Sequence, residues 1–259
     1  MIKKNNKVFI LLLILTSCVT IKKGFAQSSK PDFKVKVESL DLFDKSRNRS
    51  VPVALYLPVT DKKINRQKLI IFSHGYGENK GGDNLAYSYL TEYLASKGYF
   101  VASIQHELPT DDLLPTSGII QTVRRPFWDR GADNILFVLN ELKKSHLTLD
   151  YQSVTLIGHS NGGDMTALFP QKYPSLVEKI ITMDNRRMAL PRTKQPEVYT
   201  LRSSDLPADE GVLPAVEEQK KFGITVIMLN NTKHSEMDND ANEDQRKEIN
   251  DYIIGFLKN

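Results

Sequence analysis

Apolar and polar residues alternate along VKVESLDLFD, Val35 to Asp44, and again along VPVALYLP, Val51 to Pro58. A period of two predicts two half-buried strands. The Asn48-Arg49-Ser50 stretch between them reads as a hairpin turn. From Leu69 the pattern changes. LIIF (Leu69 to Phe72), YFVASIQ (Tyr99 to Gln105), VTLI (Val154 to Ile157), KIITMD (Lys179 to Asp184), EVYTLR (Glu197 to Arg202) and ITVIMLN (Ile224 to Asn230) are short apolar runs. Such runs suit strands buried on both faces of a parallel sheet. Between them lie stretches with helical spacing: Leu85 to Lys97, closed by Gly98, then Arg130 to Lys144, Ser160 to Lys172 and Glu243 to Leu257. Two antiparallel-type strands followed by alternating strands and helices predict an α/β fold. Its sheet has eight strands, mostly parallel, with helices on both faces. The connection from KIITMD to EVYTLR is short, which leaves no room there for a large cap domain.

The first residues follow a different logic. Met1 to Lys7 carries three lysines, and VFILLLI, Val8 to Ile14, is wholly apolar. A charged start and a short apolar stretch, too short for a comfortable membrane span, form an export signal within residues 1–26. Two endings fit. Leu15-Thr16-Ser17-Cys18 resembles a bacterial lipobox, in which Cys18 would be lipidated and become the mature N-terminus. Gly24-Phe25-Ala26 offers small residues for ordinary cleavage before Gln27. The lipoprotein ending is preferred, because Lys22 and Lys23 sit awkwardly before the second site. Residues 27–34 then form a tether, and 35–259 form the folded domain. Either ending places the protein in a cell envelope, a periplasm or the medium. Cys18 is the only cysteine, so the mature domain holds no internal disulfide and no cysteine nucleophile.

Charge narrows the partners. The formal net charge is +4, with acids and bases intermixed along the chain. Nucleic-acid binding needs a concentrated basic face, so that class is excluded. Contact with a membrane is expected only through a lipid on Cys18.

The chemistry concentrates at VTLIGHSNGGDMTAL, Val154 to Leu168. An apolar run enters Gly158-His159-Ser160-Asn161-Gly162, and a helical pattern leaves it. G-x-S-x-G between a strand and a helix is a nucleophile elbow. Gly158 and Gly162 permit the tight approach of strand and helix. The N–H of Asn161 then points at a developing oxyanion from the positive end of the helix. A serine needs a base. His234 lies beyond the last strand and before the final helix, late in the chain as the order Ser, Asp, His requires. The acid is expected after EVYTLR. Asp205 comes soonest there, Asp209 is its rival, and Asp184 at the end of KIITMD is the outside alternative. The loop Ser73-His74-Gly75-Tyr76-Gly77 follows a buried strand. Gly75 would turn it back towards the serine, and the Tyr76 N–H is the expected second oxyanion donor. Long βα connections are often functional, and Glu107 to Trp128 is one. Arg124, Arg125 and Trp128 in it, with Arg186 further on, could contact substrate. Solvated or paired surface charge is the plainer reading of the arginines, and core burial is as good a reading of Trp128.

From about Val35 onward the chain resembles an α/β-hydrolase, and more narrowly the dienelactone hydrolase and platelet-activating-factor acetylhydrolase-like branch. IIFSHGYG, YLASKGYFVASIQH, IGHSNGG and NTKHSEM carry the likeness. It implies the fold and the order of the triad strongly, and it implies neither a metal nor an organic cofactor. The expectation is an exported serine hydrolase that cleaves a small-molecule ester through an acyl-enzyme. Members of this superfamily also cleave thioesters, lactones and amides, and a few are not enzymes. A peptidase or amidase on the same triad and a non-catalytic binding protein are therefore the alternatives. The acyl group, the leaving group and the oligomeric state are not legible.

Overall fold

The computed structural model describes residues 33–61 and 64–259. The export signal, Cys18 and most of the tether lie outside the described residues. Eight strands form one sheet: β1 (Lys34–Asp44), β2 (Arg49–Val59), β3 (Gln67–Ser73), β4 (Phe100–Ile104), β5 (Leu149–His159), β6 (Lys179–Met183), β7 (Glu197–Arg202) and β8 (Thr225–Met228). Their order is β1-β2-β4-β3-β5-β6-β7-β8. β1 pairs antiparallel with β2, and β2 antiparallel with β4. Every later pair is parallel. Eight strands with an antiparallel opening are what the two alternating runs and the six apolar runs predict. β1 takes in Lys34, and the Phe33 N–H donates to the Ser96 carbonyl at 3.0 Å, so the fold begins slightly before Val35.

Six helices are described: α1 (Ser88–Ser96), α2 (Ile120–Val123), α3 (Arg125–Ser145), α4 (Ser160–Lys172), α5 (Val216–Phe222) and α6 (Glu243–Lys258). Alternation along each central strand splits the core in two. Leu69, Ile71, Leu156 and Ile180 face Trp128, Ile135, Val138, Met165 and Leu168 of α3 and α4. Ile70, Phe72, Ile157 and Ile181 face Leu90 and Leu94 of α1 and Ile249 and Ile253 of α6. The helices therefore cover both faces of the sheet, as expected. Among the described residues no helix is long and apolar enough to cross a membrane.

Several elements differ from the expectation: α2 lies within the connection read from Glu107 to Trp128, and β5 starts at Leu149 rather than Val154. α3 starts at Arg125 rather than Arg130, because Pro126 in its first turn suits a helix start. α5 follows VEEQKKF, seven residues without a buried side chain, and so has no apolar stripe to announce it.

Phe72 is fully buried at the centre of the sheet. Phe72→Ala is expected to lower unfolding stability by about 3–5 kcal/mol, measured by urea denaturation. A loss under about 1 kcal/mol would contradict this packing.

Candidate active site

The parallel strands end together, and the loops beyond their carboxyl ends carry the chemistry. β5 ends at His159, and α4 begins at Ser160 with no intervening loop. Ser160 has φ 51°, a left-handed conformation that costs energy for a residue with a side chain. The turn leaves no space for other side chains. A Cβ on Gly162 would stand 2.3 Å from the Ser73 carbonyl oxygen and 2.4 Å from that of His74. One on Gly158 would stand 2.4 Å from the Gly162 carbonyl oxygen. The glycines flanking the elbow are thus required by close packing.

Ser160 Oγ–H donates to His234 Nε2 at 2.9 Å. His234 Nδ1–H donates to Asp184 Oδ2 at 2.6 Å. The expectation of Asp205 or Asp209 on this imidazole is therefore corrected. Exposed Asp205 accepts the backbone N–H of His234 at 2.8 Å and so holds the loop rather than the ring. Asp209 pairs with Arg187 and accepts from Gln121 at 2.7 Å. The reason is positional. β6 is the immediate neighbour of β5, whereas β7 lies one strand further from Ser160. β7 supplies donors instead: Ser203 N–H and Oγ–H reach Asp184 at 3.0 and 2.7 Å, and the Arg202 guanidinium lies 2.9 Å away. Burial alone would raise the Asp184 carboxyl. The bond from His234, the charge of Arg202 and the two Ser203 donors outweigh burial and hold it below the ordinary value.

The loop after β3 is held from two sides. His74 Nε2 accepts the His106 N–H at 3.0 Å, so Nδ1 carries the proton and donates to the Gly75 carbonyl at 2.6 Å. In a trans peptide the next N–H points the opposite way. The Tyr76 N–H therefore faces away from His74, and Tyr76 lines the cavity beside Ser160. Tyr87 Oη accepts the Gly75 N–H at 3.0 Å and donates to His159 Nδ1 at 2.7 Å. Gly75 packs tightly here: a Cβ would lie 2.9 Å from Tyr87 Oη. Burial, with the adjacent His234 ring, pushes the His159 imidazole down to about 3, so it stays neutral. The Asn161 N–H lies in the first turn of α4, where helix amides lack intrahelical acceptors.

Trp128 supports the elbow from beneath. It is fully buried, and its Nε1–H donates to Asn161 Oδ1 at 2.8 Å. Asn161 Nδ2–H donates to buried Glu107 at 2.9 Å. Trp128 is therefore core rather than a substrate wall. Arg124, Arg125 and Arg186 also lie outside the cavity lining. Arg124 donates to the Pro115 carbonyl at 2.8 Å, Arg125 pairs with Asp129 at 3.0 Å, and Arg186 donates to the Pro207 carbonyl at 3.1 Å. Tyr87, Arg202 and Ser203 were not singled out from the sequence. His74 and His159 lay in the marked loop and elbow but were given no role of their own. Among the described residues no cluster of His, Cys, Asp and Glu is arranged to hold a metal ion.

Solved structures share this architecture. The esterase Est22 superposes with a TM-score of 0.62 over 88% of this chain and 82% of its own, at 12% identity. A dienelactone hydrolase-like promiscuous phosphotriesterase from metagenomic libraries gives 0.63 over 87% and 98%, at 16% identity. Esterase 2 of Thermogutta terrifontis, phosphorylated by paraoxon, gives 0.60 over 85% and 92%, at 14% identity. The chain has the α/β-hydrolase fold. No protein-family model matches it, and no curated protein is similar to it in sequence.

Asp164, in the elbow helix, is almost wholly buried. Burial pushes its carboxyl up to about 6, although Met188 and Arg187 N–H groups donate to it at 2.8 and 2.9 Å. A carboxyl raised on folding stabilises the fold below its unfolded value and loses that contribution as pH rises through the folded value. Wild-type stability is thus expected to fall, relative to Asp164→Asn, by roughly 2 kcal/mol between pH 4 and 7. Asn keeps an oxygen for both amides. Urea denaturation of both proteins at the two pH values measures this, and a parallel pH response would contradict it.

Proposed function

We propose that the protein is a serine esterase acting through Ser160, His234 and Asp184. The observation that carries this reading is the unbroken hydrogen-bonded chain from a strained, left-handed serine through an imidazole to a buried carboxylate. A hydrogen bond from the nucleophile to its base, with the base oriented in turn by an acid, is the arrangement that activates a serine.

His234 Nε2 takes the Ser160 proton as Oγ attacks the acyl carbon. Asp184 stabilises the imidazolium and fixes its tautomer. The Tyr76 and Asn161 N–H groups hold the oxyanion, a contribution of about 3–4 kcal/mol per donor in comparable sites. His234 then gives the proton to the departing alcohol, leaving an acyl-serine. Water, deprotonated by His234, attacks that ester, and the acid leaves as the proton returns to Ser160. Small-molecule esters are the substrate class supported by the fold's esterase neighbours.

Export belongs to the same reading. It is supported by the lysine-bearing start, the VFILLLI stretch and Cys18. Mass spectrometry of the envelope form is expected to find lipidated Cys18 as the first residue. A mature chain starting at Gln27 would contradict the lipid anchor.

A fluorophosphonate probe is expected to label the wild-type protein and neither Ser160→Ala nor His234→Ala. Asp184→Asn is expected to lower kcat/KM for 4-nitrophenyl acetate by roughly 10³–10⁴-fold, through loss of the correct imidazole tautomer. Asp205→Asn should stay within a few-fold. An unlabelled, folded wild type would remove the esterase reading, and a larger loss in Asp205→Asn would overturn the acid assignment.

A further inference from the structure

Gly75 stands beside the nucleophile. A Cβ on it would lie 3.4 Å from that of Ser160, 3.0 Å from His159 Nδ1 and 2.9 Å from Tyr87 Oη. The position therefore excludes a side chain, and its carbonyl shares a peptide group with the Tyr76 N–H. Glycine has the widest backbone freedom of any residue. A donor next to it keeps a fixed aim only where other groups restrain the loop.

His74 and Tyr87 supply that restraint. His74 Nδ1–H holds the Gly75 carbonyl, and Tyr87 Oη holds the Gly75 N–H. His74 belongs to the loop itself, whereas Tyr87 reaches it from the start of α1. The Tyr87 ring packs on Phe72, with ring centres 4.8 Å apart. Its carbonyl accepts the Leu90 and Thr91 N–H groups at 3.0 Å and so opens the helix. Burial raises the phenol far above its ordinary value, so the hydroxyl keeps its proton. A backbone N–H only donates. The hydroxyl oxygen therefore accepts from Gly75 and sends its own proton to His159 Nδ1. The His159 proton is thereby left on Nε2, which approaches the His234 backbone more loosely than a full hydrogen bond. The rings of His159 and His234 lie 4.7 Å apart, centre to centre. A single hydroxyl thus joins the loop after β3 to the elbow and to the histidine of the triad.

We propose that Tyr87 is a positioning residue of the serine esterase inferred above, a role that rests on that reading. Its hydroxyl fixes the Gly75 backbone, and with it the aim of the Tyr76 N–H at the developing oxyanion. Through His159 it keeps that donor in register with Ser160 and His234. Tyr87 also lines the cavity beside Ser160, so direct contact with substrate is the rival role. The two roles differ in kinetics. An oxyanion donor acts where charge develops, so losing its aim lowers kcat and spares KM, whereas losing a substrate contact raises KM.

Tyr87→Phe removes one oxygen and keeps the ring. With 4-nitrophenyl acetate it is expected to lower kcat by roughly 10- to 100-fold and to leave KM within about twofold. A pair of ketones supplies a readout that a merely structural role would not move. 1,1,1-Trifluorobutan-2-one takes Ser160 Oγ at its carbonyl carbon, the Oγ proton passes to His234, and the carbonyl oxygen becomes an oxyanion. Butan-2-one binds as the free ketone. Tyr87→Phe is expected to weaken inhibition by the trifluoroketone by the same factor as kcat and to leave butan-2-one within about twofold. His159→Leu takes away the acceptor of the hydroxyl proton and reports the same split if Tyr87→Phe does not fold. An unchanged kcat, a rise in KM alone, or equal weakening of both ketones overturns the inference and leaves the esterase reading standing. A folded wild type without esterase activity removes that reading, and this inference with it.

Discussion

The approach of Gly162 to the end of β3 is the contact on which the site depends. Ser73 and His74 carbonyl groups leave no space for a single added carbon on that glycine. This closeness seats the first turn of α4 directly on the sheet, and the chain can leave β5 only through a left-handed Ser160. The same end of β3 starts the loop that presents the Tyr76 amide. One packing contact therefore sets Ser160 and the Tyr76 amide, the proposed nucleophile and oxyanion donor, relative to each other. Trp128 and Glu107 extend the constraint below the elbow by holding both ends of the Asn161 side-chain amide.

The acid side is built by the adjacent strands in a different way. Asp184 is fully buried, which would neutralise an unsupported carboxyl. The end of β7 prevents this with the Arg202 guanidinium and two Ser203 donors. Arg202 is itself only 2% exposed, so the pair is a buried ion pair whose partners need each other more than they stabilise the fold. Its value lies in keeping a negative charge behind His234. The loop carrying His234 is then fastened from outside, by Asp205 on its backbone and by Asn239, whose side chain accepts the Tyr89 N–H at the start of α1.

The sheet was legible because each central strand is a separate apolar run and the opening hairpin alternates cleanly. The serine and histidine were legible because their positions relative to strands follow from chain order. The acid was not. Asp184 and Asp205 both follow strands, and a one-dimensional reading does not show that β6 rather than β7 abuts β5. Asp184 stood at a strand end with Arg202 closing the next strand, but a buried cation looks like any other arginine in sequence. Tyr87 and His159 were hidden for a related reason. Their hydrogen bond joins residues 72 positions apart, and neither sits in a motif that asks for the other. The basic cluster follows its plainer reading as paired charge, since Arg124, Arg125 and Arg186 all find partners away from Ser160.

The pairing of His234 with Asp184 is tested most directly by proton NMR of the purified domain. A strong N–H···carboxylate bond produces a far-downfield proton resonance, which labelled imidazole nitrogen assigns to His234 Nδ1–H. The account predicts that this resonance persists in Asp205→Asn and vanishes in Asp184→Asn. Persistence in Asp184→Asn with loss in Asp205→Asn would contradict it.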